Sequence, residues 1–308
     1  MTVSLTAGCT SGGGSPSDDS RGTSRDTRDT EDPPTTAIEG SVLAVKIDNA
    51  RRARPHTGLN AADVVYVEQV EGGMSRLMAV YATELPKLVG PVRSAREADL
   101  ELLRQFERPT LAFSGAQSKL LPLIEGAPLN AEPPGRTSGA YLRGEGRPAP
   151  HNLYLRPDRL IATASGADAL TTGFRYGPAP AGGAPQASRT VAYPAARFTF
   201  TWSESRDRWL VTMDGTAATT TDAGPMAPAT VVVQHVKVRE SEFYDFRGNN
   251  TPYTETVGAG RAEVLRDGKA YDAVWERVRA TDGTTFSTPD GAPLNFAEGQ
   301  VWVVFVGT

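Results

Sequence analysis

The stretch AADVVYVEQVEGGMSRLMAVYAT, residues 61–83, predicts two strands joined by a tight turn. Apolar and β-branched side chains dominate 61–70 and 75–83, as in strands that bury at least one face. Glu71-Gly72-Gly73 separates them, and glycine accepts backbone angles that other residues avoid. The sequence therefore predicts a hairpin with Glu71 and Arg76 on either side of its glycine turn.

Outward from this hairpin, the rest of the first half alternates between strand and helix patterns. Residues 42–47 predict a strand with Leu43, Val45 and Ile47 on one face, and 110–113 predict a short apolar strand. Helices are predicted from Ser94, where residues 94–97 match a capping box, after residues 114–117, and over 157–170. Strands mixed with helices predict a mixed α/β first domain over residues 41–176.

The second half has a β pattern. A Gly/Pro/Ala-rich segment, residues 177–187, predicts a linker, and alternation in 198–202 and 209–213 predicts a hairpin. A second hairpin is predicted around Asp267-Gly268. Residues 188–308 therefore predict a smaller, mostly antiparallel β domain, and the whole chain is assigned to the α+β class.

The N-terminal residues point to the membrane surface. Residues 5–9, LTAGC, resemble the end of a bacterial lipoprotein signal, in which the cysteine receives a lipid, and Cys9 is the only cysteine. Segment 1–9 is shorter than a complete signal peptide, which predicts that the natural start lies upstream. Residues 10–40 are nearly devoid of apolar side chains and predict a disordered tether. The chain is expected on the extracytoplasmic face of the membrane, anchored through Cys9.

Composition and missing motifs exclude several functions. The net charge of -4 argues against nucleic acid as a partner. A single cysteine rules out an internal disulfide and a cysteine-rich zinc site. The three histidines lie far apart, and neither a phosphate-binding glycine loop nor a nucleophile elbow occurs. We therefore expect neither a metal nor a cofactor.

Several sequence blocks follow one another in an order that is family-specific. They are residues 54–59 (RPHTGL), 62–66 (ADVVY), 71–76 (EGGMSR), 90–96 (GPVRSAR) and 149–154 (APHNLY), followed by 266–269 (RDGK) and 299–302 (GQVW). In these blocks the chain resembles the YerB-like lipoprotein family, a domain of unknown function (DUF3048) with N- and C-terminal parts. The resemblance covers residues 42–307 and implies a lipoprotein with two domains. It implies no established reaction.

The first candidate site lies where the predicted helix begins at Ser94. Free N–H groups at a helix start favour an anion. Arg93 and Arg96 flank that position, and a guanidinium can hold a phosphate or carboxylate with two hydrogen bonds. The alternative is that both arginines pair with Glu97, Asp99 or Glu101 or face solvent.

Other candidates lie in the hairpin turn and in a loop. Glu71 is a candidate acid–base group and Arg76 a candidate ligand clamp, unless the two form a salt bridge across the hairpin. His151 is the second candidate for acid–base chemistry and Asn152 a candidate ligand contact, in a loop rich in proline and glycine. The alternative for His151 is a turn cap that bonds with the backbone.

Three functions follow from these candidates. The leading hypothesis is a lipid-anchored protein that binds an anionic cell-envelope ligand, a glycan or a phosphate-bearing polymer, in a cleft of the first domain. The second is a hydrolase or transferase acting on that ligand, with Glu71 or His151 as acid or base. The third is a protein–protein interaction lipoprotein that uses an exposed strand edge. The sequence leaves the oligomeric state open.

Overall fold

A computed structural model describes residues 41–245 and 248–308, which all fall in one compact unit. The strands of the first half are β1 (Leu43–Asp48), β2 (Val64–Gln69), β3 (Ser75–Tyr81), β4 (Thr110–Ala112), β5 (Asn130–Glu132), β6 (Tyr141–Arg143) and β7 (Leu153–Leu155). Those that follow are β8 (Ala184–Pro185), β9 (Ser188–Tyr193), β10 (Ala196–Ser203), β11 (Arg208–Met213), β12 (Thr216–Ala217), β13 (Thr219–Thr220), β14 (Gly224–Pro225), β15 (Thr230–Val236), β16 (Val238–Tyr244), β17 (Asn250–Thr254), β18 (Gly258–Arg266), β19 (Lys269–Arg277), β20 (Thr285–Ser287) and β21 (Val301–Gly307). The α-helices of the described residues are α1 (Glu97–Leu103) and α2 (Leu121–Gly126). Cys9, segment 1–9 and tether 10–40 lie outside the described residues.

The predicted α+β class, with a mixed α/β first domain, is wrong. Of the described residues, 43% are strand and 11% helical, so the protein is mostly β. The helix predicted over 157–170 is reduced to two single 3-10 turns, Pro157–Arg159 and Ala167–Ala169. Gly166, with a φ of 86°, lies between them in a conformation that no helix contains.

One large sheet joins the two halves of the chain. It has eleven strands, ten of them in the order β20-β19-β18-β15-β21-β2-β3-β1-β4-β5, and β8 pairs with β19. The closing strand β21 lies parallel between β2 of the first half and β15 of the second. The sheet therefore contains strands from both sides of the predicted linker 177–187. The predicted domain boundaries stay a prediction.

Two cores lie on opposite faces of the large sheet. On one face, Phe198, Phe200 and Trp209 of the four-stranded sheet β12-β11-β10-β9 share a core with Leu43 and Val45 of β1. On the other face, the core includes residues of both helices and of the C-terminal segments, among them Leu102, Ile124, Phe243 and Phe296. Because both faces are covered, a polar side chain on either face needs a partner inside the protein.

The strand directions place the carboxyl ends of six strands at one edge of the large sheet. Strands β1, β4 and β5 are mutually parallel, and so are β2, β21 and β15. Since β3 is antiparallel to both β1 and β2, all six run in the same direction. Their carboxyl ends therefore share one edge, where β3 begins with Ser75 and Arg76. In open sheets with parallel strands, this edge is where ligands bind.

Several local predictions are confirmed. The strands at 42–47, 61–70 and 75–83 are β1, β2 and β3, each shorter by a few residues or shifted by one. The hairpin β18–β19 turns at Asp267 and Gly268, whose φ values of 51° and 70° are those of a tight hairpin turn. None of the helices within the described residues has the length and apolar character needed to cross a membrane.

Candidate functional site

Strand β1 places two charged residues inside the protein. Side chains alternate between the faces of a strand, so Lys46 and Asp48 point away from the Leu43, Val45 and Ile47 face. Both are fully buried, and Asp48 stands opposite Arg76 of β3 in the sheet register. The same alternation that buries the apolar face thus brings a lysine and an aspartate to the other core.

Asp48 lies at the centre of three basic side chains, and the four residues are here named the Asp48 cluster: Asp48, Arg76, Arg93 and His151. The His151 Nδ1 lies 2.8 Å from Asp48 Oδ2, and the Arg93 Nε lies 3.4 Å from the same oxygen. Arg76 approaches the other oxygen at 3.6 Å, and the Ala50 N–H donates to it at 3.1 Å. One carboxylate is therefore shared by two arginines and a histidine.

The Asp48 cluster reaches the protein surface through two of its members. The side chains of Arg93 and His151 are 25% and 18% exposed, whereas that of Asp48 is fully buried. Arg76 is 5% exposed, and its Nε has no hydrogen-bond partner among the described residues. The Nε of Arg93 also lacks a hydrogen-bond partner among the described residues, and a buried donor without a partner is costly.

The electrostatics of the cluster favour its ionised form. Burial lowers the pKa of Arg76 to about 10, although Asp48 opposes the shift. Burial alone would raise the pKa of Asp48, but Arg76, the Ala50 amide, His151 and Arg93 outweigh it and hold that pKa below its ordinary value. The two arginines and the aspartate together leave one net positive charge.

A second group of charges, the Lys46 cluster, lies two residues earlier on the same strand: Lys46, Glu68 and Asp99. The Lys46 ammonium donates to Glu68 Oε1 and, at 2.6 Å, to Asp99 Oδ1. The side chains of Lys46 and Asp99 are fully buried and that of Glu68 is 7% exposed. Burial lowers the pKa of Lys46, with Asp99 acting in the opposite direction. This cluster is closed to solvent.

Glu71 and Arg96 form a pair of their own beside the Asp48 cluster. The Arg96 guanidinium contacts both Glu71 oxygens, at 2.6 and 2.8 Å, and the Thr251 hydroxyl donates to Glu71 at 2.5 Å. Burial would raise the pKa of Glu71, but Arg96 and Thr251 outweigh it and lower that pKa. The sequence predicts Arg96 as an anion-binding residue, with pairing to Glu97, Asp99 or Glu101 or exposure to solvent as the alternative; in the structure its partner is Glu71 of the hairpin turn.

The helix start predicted at Ser94 is wrong. Helix α1 begins at Glu97, and its first turn already holds Asp99, whose carboxylate accepts the Arg96 N–H at 2.7 Å. Since a carboxylate occupies this seven-residue helix end, the helix gives no separate anion site. Ser94 lies before the helix, with its hydroxyl 3.5 Å from that of Ser114.

The loop that carries His151 is held by other polar contacts. Arg147 donates to the carbonyls of Ala53 and Pro55, at 2.7 and 2.8 Å. Asn152 accepts from Arg143 at 2.8 Å and donates to the Gly144 carbonyl at 3.1 Å. Asn152 is 9% exposed, so its amide positions the loop that presents its neighbour His151 to Asp48.

His56 approaches Asp48 from the buried side. Its Nε2 lies 2.9 Å from the Asp48 backbone carbonyl, and the ring is 1% exposed. Burial lowers the pKa of His56 to about 4. At neutral pH this histidine is uncharged and acts as a packing and hydrogen-bonding element.

The structure brings most of the predicted site residues together. Arg76, Arg93 and His151 meet at Asp48; Glu71 and Arg96 pair nearby; Ser94 and Asn152 face other partners. Sequence reasoning missed Asp48 itself. The available signal was its place at the carboxyl end of a strand whose apolar residues lie on the opposite face.

Two hollows on the surface have none of the four Asp48-cluster residues in their lining. One, of about 520 Å³, lies beside the edge strand β5 and is lined by Arg108, Glu125, Asn130, Glu132 and Arg136, among others. The other, of about 260 Å³, lies between Arg54 and the β11–β12 turn at Asp214. No group of three or more His, Cys, Asp or Glu side chains in the described part of the chain is arranged to hold a metal.

Comparison with known proteins places this chain in a family. The model for the N-terminal domain of a protein of unknown function (DUF3048) matches residues 30–170, and the model for its C-terminal domain matches 189–303. The chain belongs to the YerB-like family. The Asp48 cluster, at residues 48, 76, 93 and 151, therefore lies within the N-terminal match.

One relative and one solved structure support this membership. The Bacillus subtilis (strain 168) protein named "Putative lipoprotein YerB" is 22% identical over 280 residues, 86% of this chain and 80% of that protein. The crystal structure of the YerB protein from Bacillus subtilis matches with a TM-score of 0.70 and 20% identity. The superimposed part covers 86% of this chain and 90% of the Bacillus chain, so the two proteins share a fold.

Proposed function

We propose that this protein is an extracytoplasmic, lipid-anchored receptor that binds an anionic cell-envelope ligand, a glycan or a phosphate-bearing polymer, at the Asp48 cluster. The observation that carries the proposal is the convergence of Arg76, Arg93 and His151 on the single carboxylate of Asp48. The two guanidinium groups outnumber the carboxylate that they share. An incoming anion would complete the charge balance and occupy the open donors.

The location supports the same proposal. The cluster lies at the sheet edge that collects the carboxyl ends of parallel strands. Arg93 and His151 supply the solvent-exposed side, and Arg76 supplies a buried floor with an unpartnered Nε. A ligand anion that reached Arg76 would meet a guanidinium shielded from solvent, where a charge-assisted hydrogen bond is strong.

Titration calorimetry tests the binding proposal. The probes are poly(glycerol phosphate), for the phosphate-bearing class, and polygalacturonate, for the carboxylate-bearing class. We expect saturable binding of at least one probe that weakens with ionic strength. Arg93→Ala should lower the affinity at least about tenfold, because a charge-assisted hydrogen bond contributes roughly 1.5–3 kcal/mol.

The matched control is Arg206→Ala, which removes an exposed arginine from the turn between β10 and β11. It should leave the affinity unchanged. Equal weakening by both variants would mean that the probe senses only overall charge and would reject the Asp48 cluster as the site. If neither probe binds, the remaining prediction is an interaction protein without a small-molecule site.

The anchor is proposed from the sequence around Cys9 and from the name of the Bacillus relative. Cell fractionation in the native host tests it. The protein should sediment with membranes, and Cys9→Ser should move it to the soluble fraction or leave its precursor unprocessed. Membrane association that persists unchanged in Cys9→Ser would contradict lipid anchoring at this residue.

A further inference from the structure

We infer that the Asp48 cluster is a hydrolytic site for phosphodiesters, in which His151 is the base that activates water and Asp48 is the residue that positions it. The inference rests on the proposed function, because both require an anion held by Arg76 and Arg93. It goes further in assigning a reaction and one class of substrate.

The position of the His151 ring is the main evidence for the reaction. His151 Nδ1 lies 2.8 Å from Asp48 Oδ2, and an ionised carboxylate can only accept a hydrogen bond. Asp48 therefore fixes the tautomer with the proton on Nδ1 and the lone pair on Nε2. No described residue makes a hydrogen bond with Nε2, so this atom is available to water. A base held by a buried acid in this way is a recurrent arrangement in hydrolases.

Burial makes Asp48 effective in that role. Its side chain is fully buried, and Arg76, the Ala50 amide and Arg93 keep it ionised. The imidazolium that forms when His151 takes a proton gains a charge partner at hydrogen-bonding distance. Such preorganised stabilisation of a developing charge needs no rearrangement during the reaction.

The charge of the cluster selects the substrate class. With His151 neutral, as a base must be, Arg76, Arg93 and Asp48 leave one net positive charge. A phosphodiester carries one negative charge over two non-bridging oxygens, and guanidinium groups match such oxygens. A phosphate monoester carries almost two negative charges at neutral pH, which exceeds what the cluster neutralises.

The proposed step is a balanced hydrolysis. His151 Nε2 takes a proton from water as the water oxygen forms a bond with phosphorus. The bond from phosphorus to one ester oxygen breaks, and the departing alkoxide receives the proton from Nε2. The products are an alcohol and a phosphate monoester, and His151 returns to its neutral form.

Glu71, the other predicted acid–base residue, is a poor base at this site. Both of its oxygens contact Arg96, and the Thr251 hydroxyl donates to one of them. These contacts lower its pKa, which makes the carboxylate a weak proton acceptor. Of the two candidates, only His151 has a proton-accepting atom that is free of hydrogen bonds and a side chain that is partly exposed to solvent.

Hydrolysis of bis(p-nitrophenyl) phosphate by the full-length protein tests the inference. His151→Gln should lower kcat by on the order of a hundredfold or more, as loss of a general base does, and leave KM within about threefold. Arg93→Ala should mainly raise KM. His235→Gln is the matched control, since His235 is a partly exposed histidine on β15, and should change neither constant.

Asp48→Asn tests whether Asp48 positions His151 for the reaction or only stabilises the fold. Asparagine cannot keep the same tautomer of His151, so kcat should fall while KM changes less. Thermal unfolding of each variant reports whether it is folded. Should Asp48→Asn fail to fold, His151→Gln still decides the outcome, because His151 lies at the surface of the cluster.

The possible failures are distinguishable. Absence of turnover together with Arg93-dependent binding of diethyl phosphate overturns the hydrolase and leaves the receptor. Absence of both overturns the inference and the proposed function. Turnover that survives His151→Gln places the reaction elsewhere, and faster hydrolysis of p-nitrophenyl phosphate than of the diester overturns the substrate class.

Discussion

Lys46 and Asp48 lie two residues apart on the same face of β1, and both are fully buried. Lys46 is surrounded by its own counter-charges, Glu68 and Asp99, and none of the three opens to solvent. Asp48 is approached by two arginines, one cation more than it can neutralise, and by His151. Arg93 and His151 reach the surface. One strand thus carries a closed charge cluster and an open one.

The difference separates two uses of buried charge. A closed cluster, in which every charge has its partner inside the protein, has no free donor to offer a ligand. An open cluster with an unpartnered Arg76 Nε has unused donor capacity. On this account, changes in the Lys46 cluster alter stability, and changes at the surface of the Asp48 cluster alter function.

The largest expected effect comes from Lys46→Ala. It leaves Glu68 and Asp99 buried without their shared cation, and breaking a buried ion pair costs roughly 3–5 kcal/mol. Guanidinium-induced unfolding measures the loss, with the exposed Lys87→Ala as control. A loss below about 1 kcal/mol for Lys46→Ala would show that the closed cluster is not structural.

The next effect is a pH dependence that belongs to His56. The pKa of His56 is about 4 in the folded protein and 6.5 ordinarily. As the pH falls, the unfolded state therefore binds a proton at His56 before the folded state does. Stability is therefore complete above pH 6.5 and declines as pH falls to about 4, by roughly 3 kcal/mol. Unfolding free energies across this range test it.

A His56→Gln variant provides the comparison, because glutamine does not titrate. Its free energy of unfolding should be flat over that pH range apart from what other groups contribute. Asp48 and Glu71 have lowered pKa values, so their protonation also decreases the free energy of unfolding. This happens only when the pH falls below their ordinary pKa values of 3.8 and 4.5. An identical slope in the variant would assign the effect to groups other than His56.

A smaller loss is expected for Asp48→Asn. Arg76 would keep only the Ser75 carbonyl, at 3.2 Å, but its pair with Asp48 is already long, at 3.6 Å. We expect a loss of about 2 kcal/mol, less than for Lys46→Ala. Denaturant unfolding of the two variants under one set of conditions measures both. The reverse order would contradict the distinction between closed and open clusters.

The smallest effect on stability is expected for Arg93→Ala. Its side chain is 25% exposed and its contact with Asp48 is 3.4 Å, so solvent screens the pair and the loss should be below about 1 kcal/mol. Ligand affinity should nevertheless fall strongly. If stability and affinity fell together, the open cluster would be a fold determinant like its closed neighbour.

The sequence predicts the local parts of this fold. Strand alternation and turn residues located β1 to β3 and the hairpin at Asp267-Gly268, because both signals come from neighbouring residues. The central position of β21 depends on its pairing with β15 and with β2, and β2 lies more than two hundred positions earlier in the chain. Nothing in a local pattern encodes that pairing, so the β character of the whole was underestimated.

The candidate site was predictable to a similar degree. Arg76, Arg93 and His151 stood out as polar residues in family-specific blocks, yet the residue that unites them did not. Asp48 ends a strand that is buried on both faces, and the second buried face exists only because α1 and the C-terminal segments cover it. The pairing of Arg96 with Glu71 likewise depends on tertiary contacts.

The central claim is that the open cluster at Asp48 binds an anion, and NMR of the histidine rings tests it most directly. The chain has three histidines: His56 in the core, His151 in the cluster and His235 on β15. Titration with diethyl phosphate should shift the ring signals of His151 saturably and leave those of His235 unchanged. Signals that do not move, or that move most at His235, would contradict the claim.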